Sequence, residues 1–180
     1  MLEILSIIAG VLAVVFFLLC YQLKKRKSII TCNIISRVLY IAQYCLLGEF
    51  TGAIMDITAI PSSALASKKD SSFVKKLKIP ILILVNLIIV AIGLFTMYLT
   101  GSNLFGLFAI AGVLFETIAL WFNSEKIIRI VSLFGAPCWF TYNLICGAYA
   151  SLIGNVLTVA SIVLALVRYK NTKKEKVIDN

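Results

Sequence analysis

The stretch EILSIIAGVLAVVFFLLCYQ, residues 3–22, contains a single charged side chain, Glu3, among its twenty positions. A helix needs about 20 apolar residues to cross the roughly 30 Å hydrocarbon core of a bilayer. The stretch therefore predicts a membrane-spanning helix. KKRK follows the apolar run at 24–27, and no small-residue cleavage site comes after it. We therefore interpret it as a retained helix and not as a signal peptide.

Six further apolar segments of similar length follow the first one. They cover residues 29–47, 50–67, 79–99, 103–122, 127–146 and 149–168. The chain is 61% hydrophobic and its mean hydropathy is +1.02, far above the values of ordinary globular proteins. Open strands would leave backbone groups unpaired in lipid. We therefore predict an all-α membrane protein with seven transmembrane helices.

The basic residues lie between the apolar segments and predict the topology. Sixteen of the seventeen Lys and Arg residues fall at 24–27, 68–78, 126–129 and 168–176, whereas the loops at 48–52, 99–103 and 146–149 contain none. Basic loops mark the cytoplasmic side of a membrane protein. The pattern predicts an external N-terminus and a cytoplasmic C-terminus. It also accounts for the net charge of +9, so no nucleic-acid partner is expected.

An internal repeat relates the two halves of the chain. The pentapeptide Ile-Ala-Gly-Val-Leu at 8–12 recurs at 110–114. At a spacing of 99 residues the following segments also match, in the pairs Gly48 and Gly147, Ile54 and Ile153, Ser62 and Ser161, and Tyr40 and Trp139. A three-helix unit ends on the opposite side from its start, so two units in the same orientation need one extra crossing. We predict two parallel three-helix repeats joined by a linker helix.

These boundaries divide the chain into four parts. They are a first three-helix repeat at 1–67, a basic loop and linker helix at 68–99, a second three-helix repeat at 100–168, and a basic cytoplasmic tail at 169–180. Parallel repeats are one of the designs found in transporters, where the solute site lies near the midplane between the halves. The tail is expected to meet anionic lipid head groups.

Polar side chains form a stripe on the second and sixth segments. At helical spacings of three and four, the stripes are Asn33, Ser36, Arg37, Tyr40, Gln43 and Tyr44, and Ser132, Gly135, Ala136, Trp139, Tyr142 and Asn143. A polar face inside hydrocarbon must meet protein or water, which predicts a shared interior cavity. The alternative is that small and polar residues only hold the helices together.

Three charged residues, Arg37, Asp56 and Glu116, lie well inside the apolar segments, away from the segment ends, and are therefore expected within the membrane. At about 1.5 Å of rise per residue, Arg37 and Asp56 lie at similar depth near the midplane. They are expected to form a pair, because an isolated buried ion carries a desolvation penalty of several kcal/mol. Structural and functional roles for this pair stay open. Glu116 is expected nearer the cytoplasm, as a proton carrier, an inner gate or a packed neutral carboxyl group.

The candidate substrate-binding residues come from both repeats. They are Arg37, Tyr40, Gln43, Asp56, Trp139, Asn143 and Asn155. Asp56 aligns with Asn155 as Tyr40 aligns with Trp139, so polar groups and aromatic faces are offered from two sides. No cofactor, metal or catalytic residue is expected, because histidine is absent and the five cysteines form no CxxC. The cysteines are expected to be free thiols.

Leu46-Leu47-Gly48 and Cys138-Trp139, followed by Asn143 and Gly147, carry a family resemblance. The chain resembles the YgjV-like proteins of the bacterial inner membrane, which implies that location. Its helix plan is similar to the three-plus-one-plus-three arrangement of SWEET sugar transporters and PnuC vitamin transporters. In SWEET-like proteins an Asn on the third helix and a Trp on the second helix of each unit contact the sugar. The positions that match are Asp56, Asn155, Tyr40 and Trp139, of which Asn155 and Trp139 keep the residue type.

The SWEET pattern also has hinge prolines on the first two helices of each repeat. Pro137 is retained, and Gly10, Ser36, Gly112 and Gly135 are the candidate substitutes at or near the other positions. The resemblance therefore implies a hinge role for these residues.

The leading hypothesis is a transporter of a small polar solute such as a sugar, nucleoside or vitamin, working by alternating access. No GxxxxGK[ST] loop is present, so transport is expected to be facilitated, or coupled to an ion through Asp56 or Glu116. The alternative is a non-transporting membrane partner or assembly protein, and an enzyme is not expected. The expected partners are membrane lipid and the solute, with a homo-oligomer left open.

Overall fold

The computed structural model describes residues 2–23, 25–69, 71–101 and 104–178. Every regular element in these ranges is an α-helix, as predicted. The helices are α1 (Leu2–Gln22), α2 (Arg26–Leu47), α3 (Phe50–Ser67), α4 (Ser72–Lys76), α5 (Lys78–Thr100), α6 (Gly106–Leu120), α7 (Glu125–Ile145) and α8 (Tyr149–Ile178). Seven of them match the predicted segments. The short helix α4 in the basic loop was not predicted, and α8 continues through most of the predicted tail.

Two of the tight turns have the same geometry at positions related by the repeat. Gly48 ends α2 with φ 78°, and Gly147 follows α7 with φ 69°. This left-handed backbone is one that glycine adopts without steric penalty. The amide N–H of Glu49 donates to the carbonyl of Tyr44 at 2.9 Å, and that of Ala148 donates to Asn143 at 3.0 Å. The spacing of 99 thus relates the turns as well as the residue types.

Six helices form a closed ring in which each contacts the next, in the sequence α1, α2, α3, α6, α7, α8 and back to α1. The helix α5 packs outside this ring against α3 and α6, and α4 contacts α5. Lys69, just after α3, donates to the carbonyl of Trp121 at the end of α6 at 3.0 Å. Arg129 of α7 donates to the carbonyl of Leu23 after α1 at 3.4 Å. These contacts join the helix ends that carry the basic loops, which we call the basic end.

Four helices within the described ranges are long and apolar enough to cross a bilayer. They are α1, α2, α5 and α8, which is fewer than the seven predicted crossings. The helix α6 is apolar but has 15 residues, and α3 includes the buried carboxylate of Asp56. Large apolar side chains cover the outer surface of α5, among them Leu87, Phe95 and Leu99, each more than half exposed. Such a surface fits lipid better than water.

Candidate functional site

A buried ion cluster joins α2, α3 and α6. Arg37 donates from Nη1 to Oδ1 of Asp56 at 2.6 Å and from Nη2 to Oε2 of Glu116 at 2.9 Å. Its Nε donates to Oδ1 of Asn33 at 3.0 Å. Arg37, Asp56 and Glu116 are 1%, 3% and 7% exposed. The structure thus contains the predicted Arg37–Asp56 pair, and we call these three residues the Arg37 cluster.

Glu116, which was predicted to lie nearer the cytoplasm than the other two charges, belongs to the same ion cluster. Its carboxylate contacts the same guanidinium as that of Asp56. Side chains on a helix lean toward the beginning of that helix. Because α2 begins at the basic end and α6 finishes there, Arg37 and Glu116 lean toward each other along the bundle. The depth predicted from counting residues omitted this lean.

Aromatic side chains from both halves stack beside the cluster. Tyr44 stacks on Trp139 with ring centroids 6.2 Å apart and on Tyr40 at 6.3 Å. The Tyr44 hydroxyl also donates to Oδ1 of Asn143 at 2.7 Å. Tyr44 and Asn143 are 99 residues apart and occupy equivalent places in the repeat. The hydrogen bond therefore joins two equivalent positions of the sequence repeat.

A small cavity lies between the aromatic stack and the Arg37 cluster. It is lined by Phe17, Arg37, Tyr40, Tyr44, Asp56, Glu116, Trp139, Asn143 and Asn155. The centre of a water molecule can occupy about 20 Å³ of this cavity. The cavity therefore has room for roughly one water. Six of the seven predicted binding residues line this central cavity, together with Glu116.

Gln43, the seventh predicted binding residue, is not in that lining. Its Oε1 accepts a hydrogen bond from the Ser151 hydroxyl on α8, and its amide packs over Gly10. Phe17 and Tyr44 line the cavity but were not among the predicted binding residues. Tyr44 could have been included, because it belongs to the polar stripe of the second segment. Phe17 has no such signal, because it lies in a uniformly apolar run.

Asn155 is the lining residue with an unused polar group. Its side chain is on α8, 7% of the residue is exposed, and Nδ2 has no hydrogen-bond partner among the described residues. Leaving a buried donor unpaired costs about 1–3 kcal/mol. The other cavity amide, on Asn143, is bonded to Tyr44. Asn155 therefore offers the cavity a donor that no described residue satisfies.

A second, more open pocket lies at the end of the bundle opposite the basic end. The centre of a water molecule can occupy about 120 Å³ of this pocket. It is lined by Glu49, Thr51, Phe105, Gly106, Tyr142, Ile145 and Cys146. Tyr142 also packs on Tyr44 at 6.0 Å and on Trp139 at 5.9 Å. We call Tyr44, Trp139 and Tyr142 the aromatic layer, because they separate this outer pocket from the central cavity.

Apolar side chains close the bundle between the central cavity and the basic end. The buried cluster there contains Cys20, Ile29, Ile30, Ala66, Leu120 and Trp121. It joins the ends of α1, α3 and α6 to the beginning of α2. These side chains lie between the central cavity and the basic end, as the aromatic layer lies between that cavity and the outer pocket.

Three of the predicted hinge residues are places of close helix approach. A Cβ on Gly10 would lie 2.5 Å from Nε2 of Gln43, and one on Gly112 would lie 2.8 Å from Trp139. One on Gly135 would lie 3.2 Å from the backbone oxygen of Gly112. Pro137 lies inside α7, which continues past it. These contacts give the glycines a packing role, and the hinge role stays a prediction.

Gly112→Ala is expected to destabilise the protein by about 1–3 kcal/mol, because the new methyl group overlaps the indole of Trp139. The measurement is the thermal unfolding midpoint of the purified protein in detergent. Val156→Ala, on an outward-facing position of α8 that is 56% exposed, is the control and should change the midpoint little. An unchanged midpoint for Gly112→Ala would show that the contact is loose enough to accommodate a methyl group.

A family model described as Imp-YgjV, bacterial inner membrane protein, matches residues 4–173. The matched range includes the whole Arg37 cluster and every residue that lines the central cavity. No curated protein and no solved structure matches the chain significantly. The family description gives a location in the cell and no activity.

Proposed function

The chain belongs to the Imp-YgjV family of bacterial inner membrane proteins, and we propose that it transports a small polar solute by alternating access to the central cavity. The observation that carries the proposal is that Nδ2 of Asn155 has no partner among the described residues and belongs to a cavity that both halves of the chain line. A buried donor without a protein partner is suited to a ligand that supplies the acceptor. Solute sites between repeats are found in several transporter folds.

The transport proposal includes seven crossings in two parallel three-helix repeats joined by α5, similar to the SWEET and PnuC plan. The pattern of helix neighbours supports this arrangement. If α1, α2 and α3 exchange places with α6, α7 and α8, each helix keeps equivalent neighbours in the ring. The matching turns at Gly48 and Gly147 add support. We place the basic end in the cytoplasm, as the positive-inside rule requires. The N-terminus is then outside and the C-terminus inside.

The conformation described here corresponds to a closed state in this proposal. The aromatic layer blocks the path to the outer pocket, and the apolar cluster around Trp121 blocks the path to the basic end. The cavity has room for about one water, so a larger solute fits only after one of these two barriers opens. Rocking of one three-helix unit against the other would open the two paths in turn.

The lining favours a solute with a flat face and hydrogen-bonding groups, such as a sugar, a nucleoside or a vitamin. Tyr40 and Trp139 offer aromatic surface, and Asn155 offers a hydrogen-bond donor. Arg37 is engaged by two carboxylates and by Asn33. The guanidinium is therefore suited to holding the site together more than to binding an anionic solute.

Uptake into liposomes tests the proposal. Purified protein is reconstituted and presented with labelled sugars, nucleosides and vitamins, with protein-free liposomes as the control. We expect saturable uptake of at least one class. No uptake in any panel, together with no ligand-induced shift of the thermal midpoint, would count against a transporter.

A non-transporting partner or assembly protein is the second candidate, and the small size of the cavity favours it. Hydrogen bonds within the chain satisfy polar groups of both stripes, between Gln43 and Ser151 and between Tyr44 and Asn143. In that case the stripes serve packing alone. The protein should then co-purify with a defined partner chain after mild solubilisation, and its central cavity should stay inaccessible from both sides of the membrane.

A further inference from the structure

The Arg37 cluster contains more acidic groups than basic groups. One guanidinium, on Arg37, contacts two carboxyl groups, on Asp56 and Glu116. All three residues are more than nine-tenths buried. With every group ionised, the cluster would keep one net negative charge. A net charge away from water is costly, and an ionisable group in such a place ordinarily becomes neutral instead.

The neighbouring helices do not supply the missing positive charge. The titratable side chains that act electrostatically on one or both carboxyl groups, apart from those groups themselves, are Arg37, Tyr40 and Tyr44 of α2, Cys20 of α1 and Cys138 of α7. Tyrosine and cysteine are ordinarily neutral at pH 7. The helix α5 also packs against α6, and its titratable residues are Lys78 and Tyr98. Neither is among the groups that act on Asp56 or Glu116.

We propose that the Arg37 cluster binds one exchangeable proton, which the carboxyl groups of Asp56 and Glu116 share. The hydrogen bonds from Arg37 use Oδ1 of Asp56 and Oε2 of Glu116. The second oxygen of either group, Oδ2 or Oε1, can therefore take the proton while both bonds to the guanidinium remain. Two carboxyl groups at one site hold a proton in this way, because ionising both together places like charges side by side.

Asn155 favours a proton over a metal ion as the source of the positive charge. The residue lines the same cavity, and its Nδ2 is a hydrogen-bond donor with no partner among the described residues. A donor N–H repels a metal cation, whereas it can donate to the oxygen of a water. The cavity has room for about one water. Such a water can accept from Nδ2 and donate to a carboxylate oxygen, so it can also receive the proton of the cluster.

Release of the proton is a transfer to water. The O–H bond of the carboxyl group breaks, its electron pair stays on the carboxylate, and the proton passes through the cavity water to solvent. The use of this step for coupling rests on the proposed function. If one half of the bundle rocks, α6 moves away from α2, and Glu116 separates from Arg37. Both carboxyl groups then meet water, in which they ionise at neutral pH. The two states thus differ in proton affinity, which is what coupling requires.

Infrared spectroscopy tests the bound proton directly, because a protonated carboxyl group and a carboxylate absorb at different frequencies. Spectra of the full chain in liposomes are compared at pH 7 for the wild type, Asp56→Asn and Glu116→Gln. Each variant keeps one carboxylate, which pairs with Arg37 in its ionised form. The wild type should show the carbonyl band of one protonated carboxyl group, and the band should weaken as the pH is raised. Both variants should lose this band.

Glu3→Gln, which removes an exposed carboxyl group on α1, is the control and should keep the band. A wild type without the band at pH 7 would overturn the inference, as would a band that persists in both variants.

Uptake into liposomes tests the coupling. An imposed pH gradient of one direction should speed uptake several-fold in the wild type and have no effect on Glu116→Gln. Wild-type uptake that is the same with and without the gradient would reject the coupling. The infrared band without any uptake would instead reject the proposed transport and leave the proton site in place.

Discussion

Arg37→Met is expected to lower the free energy of unfolding by about 3–5 kcal/mol, the typical effect of breaking a buried ion pair from one side. Methionine keeps much of the length of the side chain but leaves the carboxylates of Asp56 and Glu116 buried without their shared partner. The thermal midpoint of the purified protein and the yield of folded protein in the membrane both measure this loss.

A triple variant separates charge from packing. Arg37→Met combined with Asp56→Asn and Glu116→Gln removes all three charges and keeps similar volumes. Because replacing a whole buried ion cluster is often close to neutral, most of the lost stability should return. A single Arg37→Met variant as stable as the wild type would contradict the view that the cluster holds α2, α3 and α6 together.

Asn155→Ala is expected to reduce solute uptake at least tenfold while leaving the thermal midpoint unchanged or higher. The substitution removes a buried donor that has no partner among the described residues, so no hydrogen bond of Nδ2 to a described residue is lost. A solute that accepts a hydrogen bond from Nδ2 would lose it. Uptake into liposomes and the ligand-induced thermal shift measure the two effects separately.

Asn143→Ala is the matched control, because the same change is made in the same cavity. Here the amide does accept a bond from Tyr44 at 2.7 Å, so the thermal midpoint should fall by an amount that corresponds to about 1 kcal/mol. If both alanine variants lowered stability equally and left uptake intact, Asn155 would be a packing residue.

The sequence predicted the helices and the pairing of Arg37 with Asp56 well, because both follow from local signals. Long apolar runs marked the seven long helices, and the cost of burying an isolated charge predicted that Arg37 and Asp56 would meet. The repeat spacing of 99 residues paired Asp56 with Asn155, and both residues line the central cavity. Each of these inferences needed only hydropathy, charge or repetition along the chain.

Features that depend on side-chain direction or on packing were not predictable. Glu116 joins Arg37 because the two side chains lean toward each other from helices of opposite direction. Gln43 belongs to the polar stripe, yet Ser151 of α8 holds it away from the cavity. The size of the cavity depends on how Tyr44 and Trp139, which line it, stack on each other, and no pattern in the sequence gives that.

Access to position 155 from the two sides of the membrane tests the central claim most directly, because it requires no knowledge of the solute. Asn155→Cys is introduced after the five native cysteines are replaced by alanine, and a membrane-impermeant maleimide is applied to each face in turn. Lys68→Cys, exposed at the basic end, reports the orientation of the vesicles. Alternating access predicts labelling of position 155 from both faces. Protection from both faces, with position 68 labelled normally, would contradict it.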